Sequence, residues 1–496
     1  MPDITQARTL GQLKRLGYRS RSVKDELRAN LIESIRNQRP VFEGIYDYED
    51  TVLPQLCTAL LARHNILLLG LRGQAKTRLA RQLVQLLDPY IPCIEGVELP
   101  EDPFNPITPE AKRLVQEAGD DLPIRWLSRE ERYTEKLATP DVSVADLLGD
   151  IDPIKAATLK LPYADSRVIH YGLIPRAHRG IFVINELPDL QPRIQVALFN
   201  ILQERDVQIR GYKIRLPLDI QFVFTANPED YTQRGTIVTP LKDRIGSQIL
   251  THYPRTIESS QRITQQEVSL TPAQRERIEV PPIISRTVER IGFIARQSSE
   301  HIDPKSGISA RLTISAYECI VSWAEYRLYL NQESQTTVRP MDIYAALPAI
   351  VGKVELVYEG EKEGIQNVAL YLCHRALKEE FLAHFPSPDK FKRGGSQSNP
   401  YQPIVDWFAA GNDLALSRTM SDAAYRRELS RVPHLARVVE SIGVSGNPYP
   451  WMELVLHGLA EMSLIGRTLS DKEISFRDLL GDLLSQRRED EDEEED

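Results

Sequence analysis

Residues 66–77, Ile-Leu-Leu-Leu-Gly-Leu-Arg-Gly-Gln-Ala-Lys-Thr, constrain this chain more than any other stretch. An apolar run feeds a Gly-rich turn that ends in Lys76-Thr77 and opens into a helix-like segment, Arg78 to Leu87. Strand, turn and helix in that order make a phosphate cradle. Backbone N–H groups of the turn point at phosphate oxygens, and the helix N-terminus adds positive partial charge. In the pattern G-x-x-x-x-G-K-[ST], the lysine reaches the β- and γ-phosphates and the hydroxyl ligates Mg2+. Gly70, Lys76 and Thr77 meet the pattern, Gly73 and Gln74 lie inside the turn, and Ala75 stands where Gly is usual. Alanine keeps its N–H and adds only a methyl, so the departure is expected to be mild. ATP and Mg2+ are the expected ligands.

The apolar runs Ile66–Leu69, Ile181–Ile184 and Ile220–Thr225 alternate with helical stretches between residues 41 and 255. Alternation of this kind around a phosphate loop predicts an α/β domain, a parallel sheet sandwiched by helices. Residues 283–358 show Ile/Leu/Ala periodicity with a start signal at Pro340, and residues 404–484 form a further helical block. Phe385 to Pro403 is rich in Ser, Pro, Gly and Lys and reads as a linker. The expected division is an N-terminal helical segment (1–40), a nucleotide-binding α/β domain (41–260), a helical lid (261–365), a helical C-terminal extension (366–488) and an acidic tail (489–496).

Composition excludes several classes. No stretch approaches the roughly 18 uninterrupted apolar residues of a membrane span, and no apolar signal segment follows the N-terminus. The four cysteines, scattered at 57, 93, 319 and 373, match no zinc or redox spacing and read as reduced thiols of a cytoplasmic protein. A net charge of −9 argues against a dedicated nucleic-acid binder.

Residues 180–190, Gly-Ile-Phe-Val-Ile-Asn-Glu-Leu-Pro-Asp-Leu, read as a strand that presents polar groups at its C-terminal end. Open α/β sheets place ligands at that edge. In phosphate-loop ATPases this strand usually ends Asp-Glu, the Asp on the metal side and the Glu polarising the attacking water. Here the pair is Asn185-Glu186, so the base is present and the metal-side carboxylate has become an amide. If residue 185 faces the metal, Asn185→Asp is expected to raise turnover or tighten the magnesium requirement. Residues 222–228, Phe-Val-Phe-Thr-Ala-Asn-Pro, read as another strand ending in a polar group, Asn227, which could hold the water.

The set Gly70–Thr77, Asn185-Glu186, Asn227 and Thr239-Pro-Leu-Lys-Asp-Arg-Ile-Gly246 resembles an AAA+ ATPase. Within that superfamily, Ala145–Asp152 and His170–Gly180 resemble segments of the MoxR and magnesium-chelatase subunit I clade, which carries an insert in its second helix. The resemblance covers about residues 40–360. It implies that Asn227 is the first sensor, Arg244 an arginine finger offered to a neighbouring subunit, and Arg311 in Ser309-Ala-Arg-Leu a second sensor on the lid. Taken alone, Arg244 reads as a surface partner of Asp243 and Arg311 as the start of a helix. The resemblance further implies a homo-oligomeric, hexameric ring and a partner protein with a von Willebrand factor A domain.

Three functions follow as expectations. The first is a slow ATPase that remodels or activates such a partner. The second is a magnesium-chelatase ATPase subunit driving Mg insertion into a porphyrin. The third is an ATP-binding scaffold with little hydrolysis, suggested by Asn185. A sigma-54-type activator is set aside, because the chain has no Gly-Ala-Phe-Thr-Gly-Ala loop.

Overall fold

A computed structural model of the protein describes residues 4–162, 166–204, 216–228, 236–391 and 399–479. The chain divides into two compact units, Met1–Tyr253 and Pro254–Asp496. The acidic tail, 489–496, lies outside the described residues.

The strands of the first unit are β1 (Ile66–Leu69), β2 (Tyr90–Ile94), β3 (Ile124–Ser128), β4 (Tyr133–Leu137), β5 (Gly149–Ile151), β6 (Ile169–Tyr171), β7 (Gly180–Asn185), β8 (Ile220–Ala226) and β9 (Ser247–Leu250). Five of them form one sheet in the order β4-β7-β8-β1-β9, every neighbouring pair parallel. β1, β7 and β8 are buried at every position. Strands buried along their whole length are what a parallel sheet covered on both faces requires.

Alternate residues divide between the two faces. Leu67, Leu69, Phe182, Ile184, Phe222 and Phe224 share one core with Ile194 and Leu198 of the helix Pro192–Glu204. Ile66, Leu68, Ile181, Val183 and Val223 share the other with Leu56, Leu79 and Leu27 from the helices Val52–Leu61, Lys76–Gln82 and Val23–Arg36.

The helix Val23–Arg36 starts at Ser22, whose side chain accepts from Asp25 N–H, a cap worth about 1 kcal/mol. Its Val23, Leu27 and Leu31 recur every four residues and are all buried. Leu31→Ala would cost about 2–5 kcal/mol. The same helix carries Glu26, which takes a two-point ion pair from Arg132 at 2.6 and 2.7 Å with both side chains buried. The segment 100–127 resolves into the helix Pro109–Ala118 and β3, which pairs antiparallel with β2. β5 and β6 form an antiparallel pair around the helix Pro153–Leu159.

The second unit gathers its long helices, Pro282–Gln297, Arg311–Leu330, Ile365–His384 and Tyr449–Glu461, around one core that runs from Ile278 to Phe476. The helical C-terminal region also carries a three-stranded antiparallel sheet, Leu414–Ser417, Glu473–Arg477 and Gly466–Leu469 in spatial order. Leu414, Leu416, Ile474 and Phe476 point inward at every second position, the strand period rather than the helical one. Within 385–403, residues 392–398 lie outside the description, but Phe385 and Tyr401 are core residues, and the Tyr401 hydroxyl donates to Pro386 O at 2.7 Å. Aromatic burial there outweighs the linker-like composition. Among the described residues no helix is long and apolar enough to cross a membrane.

Candidate nucleotide site

The phosphate loop leaves β1 at Gly70, whose N–H donates to Ala226 O on β8 at 3.1 Å. A Cβ on Gly70 would lie 1.9 Å from Thr251 Oγ1 and 2.2 Å from Gln74 Oε1, so only glycine fits. Gly73 and Ala75 both have positive φ, 73° and 55°. For Gly73 this costs nothing. For Ala75 it costs roughly 1–2 kcal/mol, so the substitution is dearer in backbone strain than its single methyl suggests.

Residues from outside the loop clamp it. The buried Gln74 side chain accepts from the Thr251 hydroxyl at 2.7 Å. The Tyr48 hydroxyl lies 3.0 Å from Gln74 O and 2.7 Å from His252 O, and burial pushes its pKa above the ordinary tyrosine range. The Tyr253 hydroxyl donates to Arg72 O at 2.8 Å. Lys76 begins the helix Lys76–Gln82 with its side chain buried, and its ammonium donates to Gly70 O and, at 2.9 Å, to Leu71 O. Thr77 follows on the same turn, half-buried.

The strand order brings the other polar strand ends to this edge. β1 pairs Leu69 with Ala226, and β8 pairs Phe224 with Ile184. Gly70, Asn227 and Asn185-Glu186 therefore emerge from three adjacent strands. Asn227 is buried directly after β8. Glu186 is half-buried and left-handed, φ 54° and ψ 53°, and its N–H donates to Thr225 Oγ1 at 3.1 Å. A non-glycine residue held there is strained, and such strain clusters at functional sites.

Asn185 is buried, and its amide donates to Glu135 Oε1 on β4 at 2.6 Å while its Oδ1 accepts from the Thr225 hydroxyl at 3.0 Å. Glu135 also receives Arg81 Nε at 2.9 Å and the Tyr133 hydroxyl at 3.0 Å. Burial disfavours its charge, but the bonds from Arg81 and Tyr133 outweigh that and hold its carboxyl below the usual range.

Arg244 ends the helix Thr239–Arg244. Its described partners are Gln203 Oε1 at 2.9 Å and Pro240 O at 2.8 Å, with the guanidinium 5.1 Å above the Phe199 ring. It is thus arrayed on the helix Pro192–Glu204. Arg311 belongs to the second unit, where it opens the helix Arg311–Leu330, exposed, with its N–H bonded to Ser309 Oγ at 3.2 Å. Separately, a cleft of about 520 Å3 is walled by Glu98, Glu101, Lys155 and Tyr171, and none of the expected site residues lines it.

Sequence reasoning missed Tyr48, Thr251, Thr225 and Glu135. A hydroxyl inside the apolar run Phe-Val-Phe-Thr-Ala was a usable signal for Thr225. Glu135, in Tyr-Thr-Glu-Lys-Leu, offered none.

Comparison with known proteins agrees with this layout. The Sigma-54 interaction domain matches residues 160–247, the stretch that holds β7, β8 and Arg244. Magnesium-chelatase subunit ChlI of Euglena gracilis is 26% identical over 218 residues, 42% of this chain and 58% of the relative, so the chain spans little more than half of that protein's length. Among solved structures, a complex of subunits BchI and BchD of magnesium chelatase aligns over 65% of this chain and 98% of the other at 20% identity and a TM-score of 0.33. NtrX from Brucella abortus with ATP aligns over 81% and 72% at 14% identity and a TM-score of 0.36. Loop, parallel sheet and sequence matches together make this chain an AAA+ protein similar to the MoxR and magnesium-chelatase subunit I clade.

Proposed function

We propose that the chain binds ATP with Mg2+ in the Gly70–Thr77 loop, hydrolyses it slowly, and uses the cycle within a homo-oligomeric ring to remodel or activate a partner protein. One observation carries the reading: the clamped loop and the strained Glu186 lie at the same edge of one parallel sheet. The residues fit the ligand. Gly73 and Ala75 turn the loop through positive φ, and the Lys76 ammonium is already held over the loop carbonyls Gly70 O and Leu71 O.

In this reading the Lys76 ammonium neutralises the β- and γ-phosphates, and the Thr77 hydroxyl and the Asn185 side hold the metal. Magnesium, when bound, supplies charge neutralisation on the phosphate oxygens. Glu186 takes the proton of the attacking water, Asn227 orients that water, and Arg244 serves a neighbouring subunit's nucleotide as a planar cationic fork suited to phosphate oxygens. The role of Arg311 as a second sensor comes from the resemblance. The ring, a hexamer, and a partner with a von Willebrand factor A domain come from the resemblance.

A second reading, a chelatase ATPase subunit acting on a porphyrin, is favoured by the likeness to the Euglena gracilis chelatase subunit. The deciding experiment pairs calorimetric ATP binding with steady-state phosphate release. Binding with release supports the ATPase. Binding without release leaves only a scaffold, and no binding removes the assignment. Stimulation of release by a porphyrin-binding partner separates chelation from general remodelling.

A further inference from the structure

Three polar side chains, Thr225, Asn185 and Glu135, cross the sheet face beneath the helix Lys76–Gln82. Glu186 N–H donates to Thr225 Oγ1, the Thr225 hydroxyl donates to Asn185 Oδ1, and the Asn185 amide donates to Glu135. From the far side Arg81 donates to both Glu135 oxygens, at 2.9 and 3.2 Å. Every bond runs toward one carboxylate. The direction fixes the amide: Glu135, ionised, only accepts, so it must face the Asn185 NH2. An aspartate at 185 would set two carboxylates about as close as the 2.6 Å bond it replaced.

We propose that Glu135 carries the negative charge that residue 185 lacks, displaced by one strand, and acts through Asn185 and Thr225 as a positioning residue for the metal side of the nucleotide site and for Glu186. The amide dipole presents Oδ1 toward Thr225 and the end of β7, and the Glu135 charge polarises it in that sense. Arg81 lies on the helix that Lys76 begins, so the network is anchored to the loop's own helix at one end and to the strained Glu186 backbone at the other. The charge therefore sits beside the site without occupying β7.

The inference rests on the nucleotide reading, and one titration separates the two. The affinity of a non-hydrolysable ATP analogue is measured with Mg2+ and with chelator for the full chain. Removing outer partners of a metal site costs about 10–100-fold in metal affinity. Glu135→Gln should therefore cut the magnesium-dependent gain by about 10-fold and leave affinity in chelator unchanged. Asn185→Asp alone should also cut it, and the exchange Glu135→Gln with Asn185→Asp should recover most of the loss. Arg81→Gln, at an exposed position, should raise the gain by unmasking Glu135, and it remains informative if the Glu135 variants do not fold by thermal melting. An unchanged gain in folded Glu135→Gln and Arg81→Gln, or an exchange that recovers nothing, overturns the proposal. A wild-type chain that binds no analogue overturns the nucleotide reading instead.

Discussion

The Asn185 amide donates to the Glu135 carboxylate across the β4–β7 pairing at 2.6 Å. That relationship reverses the sequence-based expectation for Asn185→Asp. Two carboxylates sharing one site cannot both ionise at low cost, and one is driven to hold a proton. Asn185→Asp should therefore lower stability by about 1–3 kcal/mol at neutral pH and lower turnover rather than raise it. Denaturant melts at pH 5 and pH 8 test this, with the larger loss expected at the higher pH, where no proton is readily shared.

Lys76→Ala should abolish ATP binding. The ammonium is held by Gly70 O and Leu71 O, so its loss both removes the cation and frees two loop carbonyls. Calorimetry showing wild-type ATP affinity in this variant contradicts the loop assignment.

Glu186→Gln should retain ATP and lose turnover by about 10²–10⁴-fold, the range for a missing general base. Glu186→Gly should be equally inactive yet more stable, because φ 54° costs glycine nothing. The gain should approach 1 kcal/mol in a denaturant melt. Wild-type phosphate release from Glu186→Gln would move the base elsewhere.

Arg244→Ala should leave ATP binding nearly intact and slow hydrolysis by about 10³–10⁵-fold, as for an arginine finger acting in trans. Mixing it with Glu186→Gln protein should restore some activity, since a mixed ring contains interfaces pairing an intact Glu186 with an intact Arg244. Because Gln203 and Phe199 array the guanidinium, Gln203→Ala should produce a smaller version of the defect. A monomer by light scattering at high ATP, with no rescue on mixing, rules out the in-trans role.

Glu453 should cost the second unit stability as pH rises. Burial, opposed by the Tyr425 hydrogen bond, lifts the Glu453 carboxyl from its ordinary 4.5 to about 8. Its oxygens receive the Tyr425 hydroxyl at 2.5 Å and Met341 N–H at 2.7 Å, with His457, Arg339 and Asp342 nearby. A carboxyl whose folded pKa is raised stabilises fully below its unfolded value, and that contribution fades as pH climbs through the folded value. Between pH 5 and pH 8 the wild-type thermal midpoint should fall relative to that of Glu453→Gln, the buried His374 and His457, whose pKa values are lowered by burial, acting in the opposite sense in both proteins. Parallel pH profiles for the two proteins would count against the assignment.

The phosphate loop and the strands β1, β7 and β8 are legible in the sequence because each is a short apolar run closed by a polar residue or a glycine. The polar ends Asn185, Glu186 and Asn227 are legible for the same reason. Their neighbours are not. Glu135 meets Asn185 only because the sheet register sets Leu137 opposite Asn185 and Glu135 opposite Val183, and register is absent from sequence spacing. The strain at Ala75 and Glu186 is a backbone angle that composition does not carry. The three-stranded sheet near the C-terminus hides for a different reason: each strand offers at most two buried residues, too few to stand out against the surrounding helical period.

The buried pair Glu26–Arg132 has a consequence for the order in which the protein forms. A chain synthesised from its N-terminus presents Glu26 long before Arg132 exists, the two being 106 residues apart. Docking the helix Val23–Arg36 early would bury a carboxylate with no cation to meet it, a cost of several kcal/mol. The first long helix is thus expected to dock late on its own sheet, once β4 has begun. Ribosome-arrested chains ending before residue 132 should leave residues 23–36 open to protease, and chains extended past Arg179, whose carbonyl accepts from Arg132 Nε at 2.8 Å, should close them.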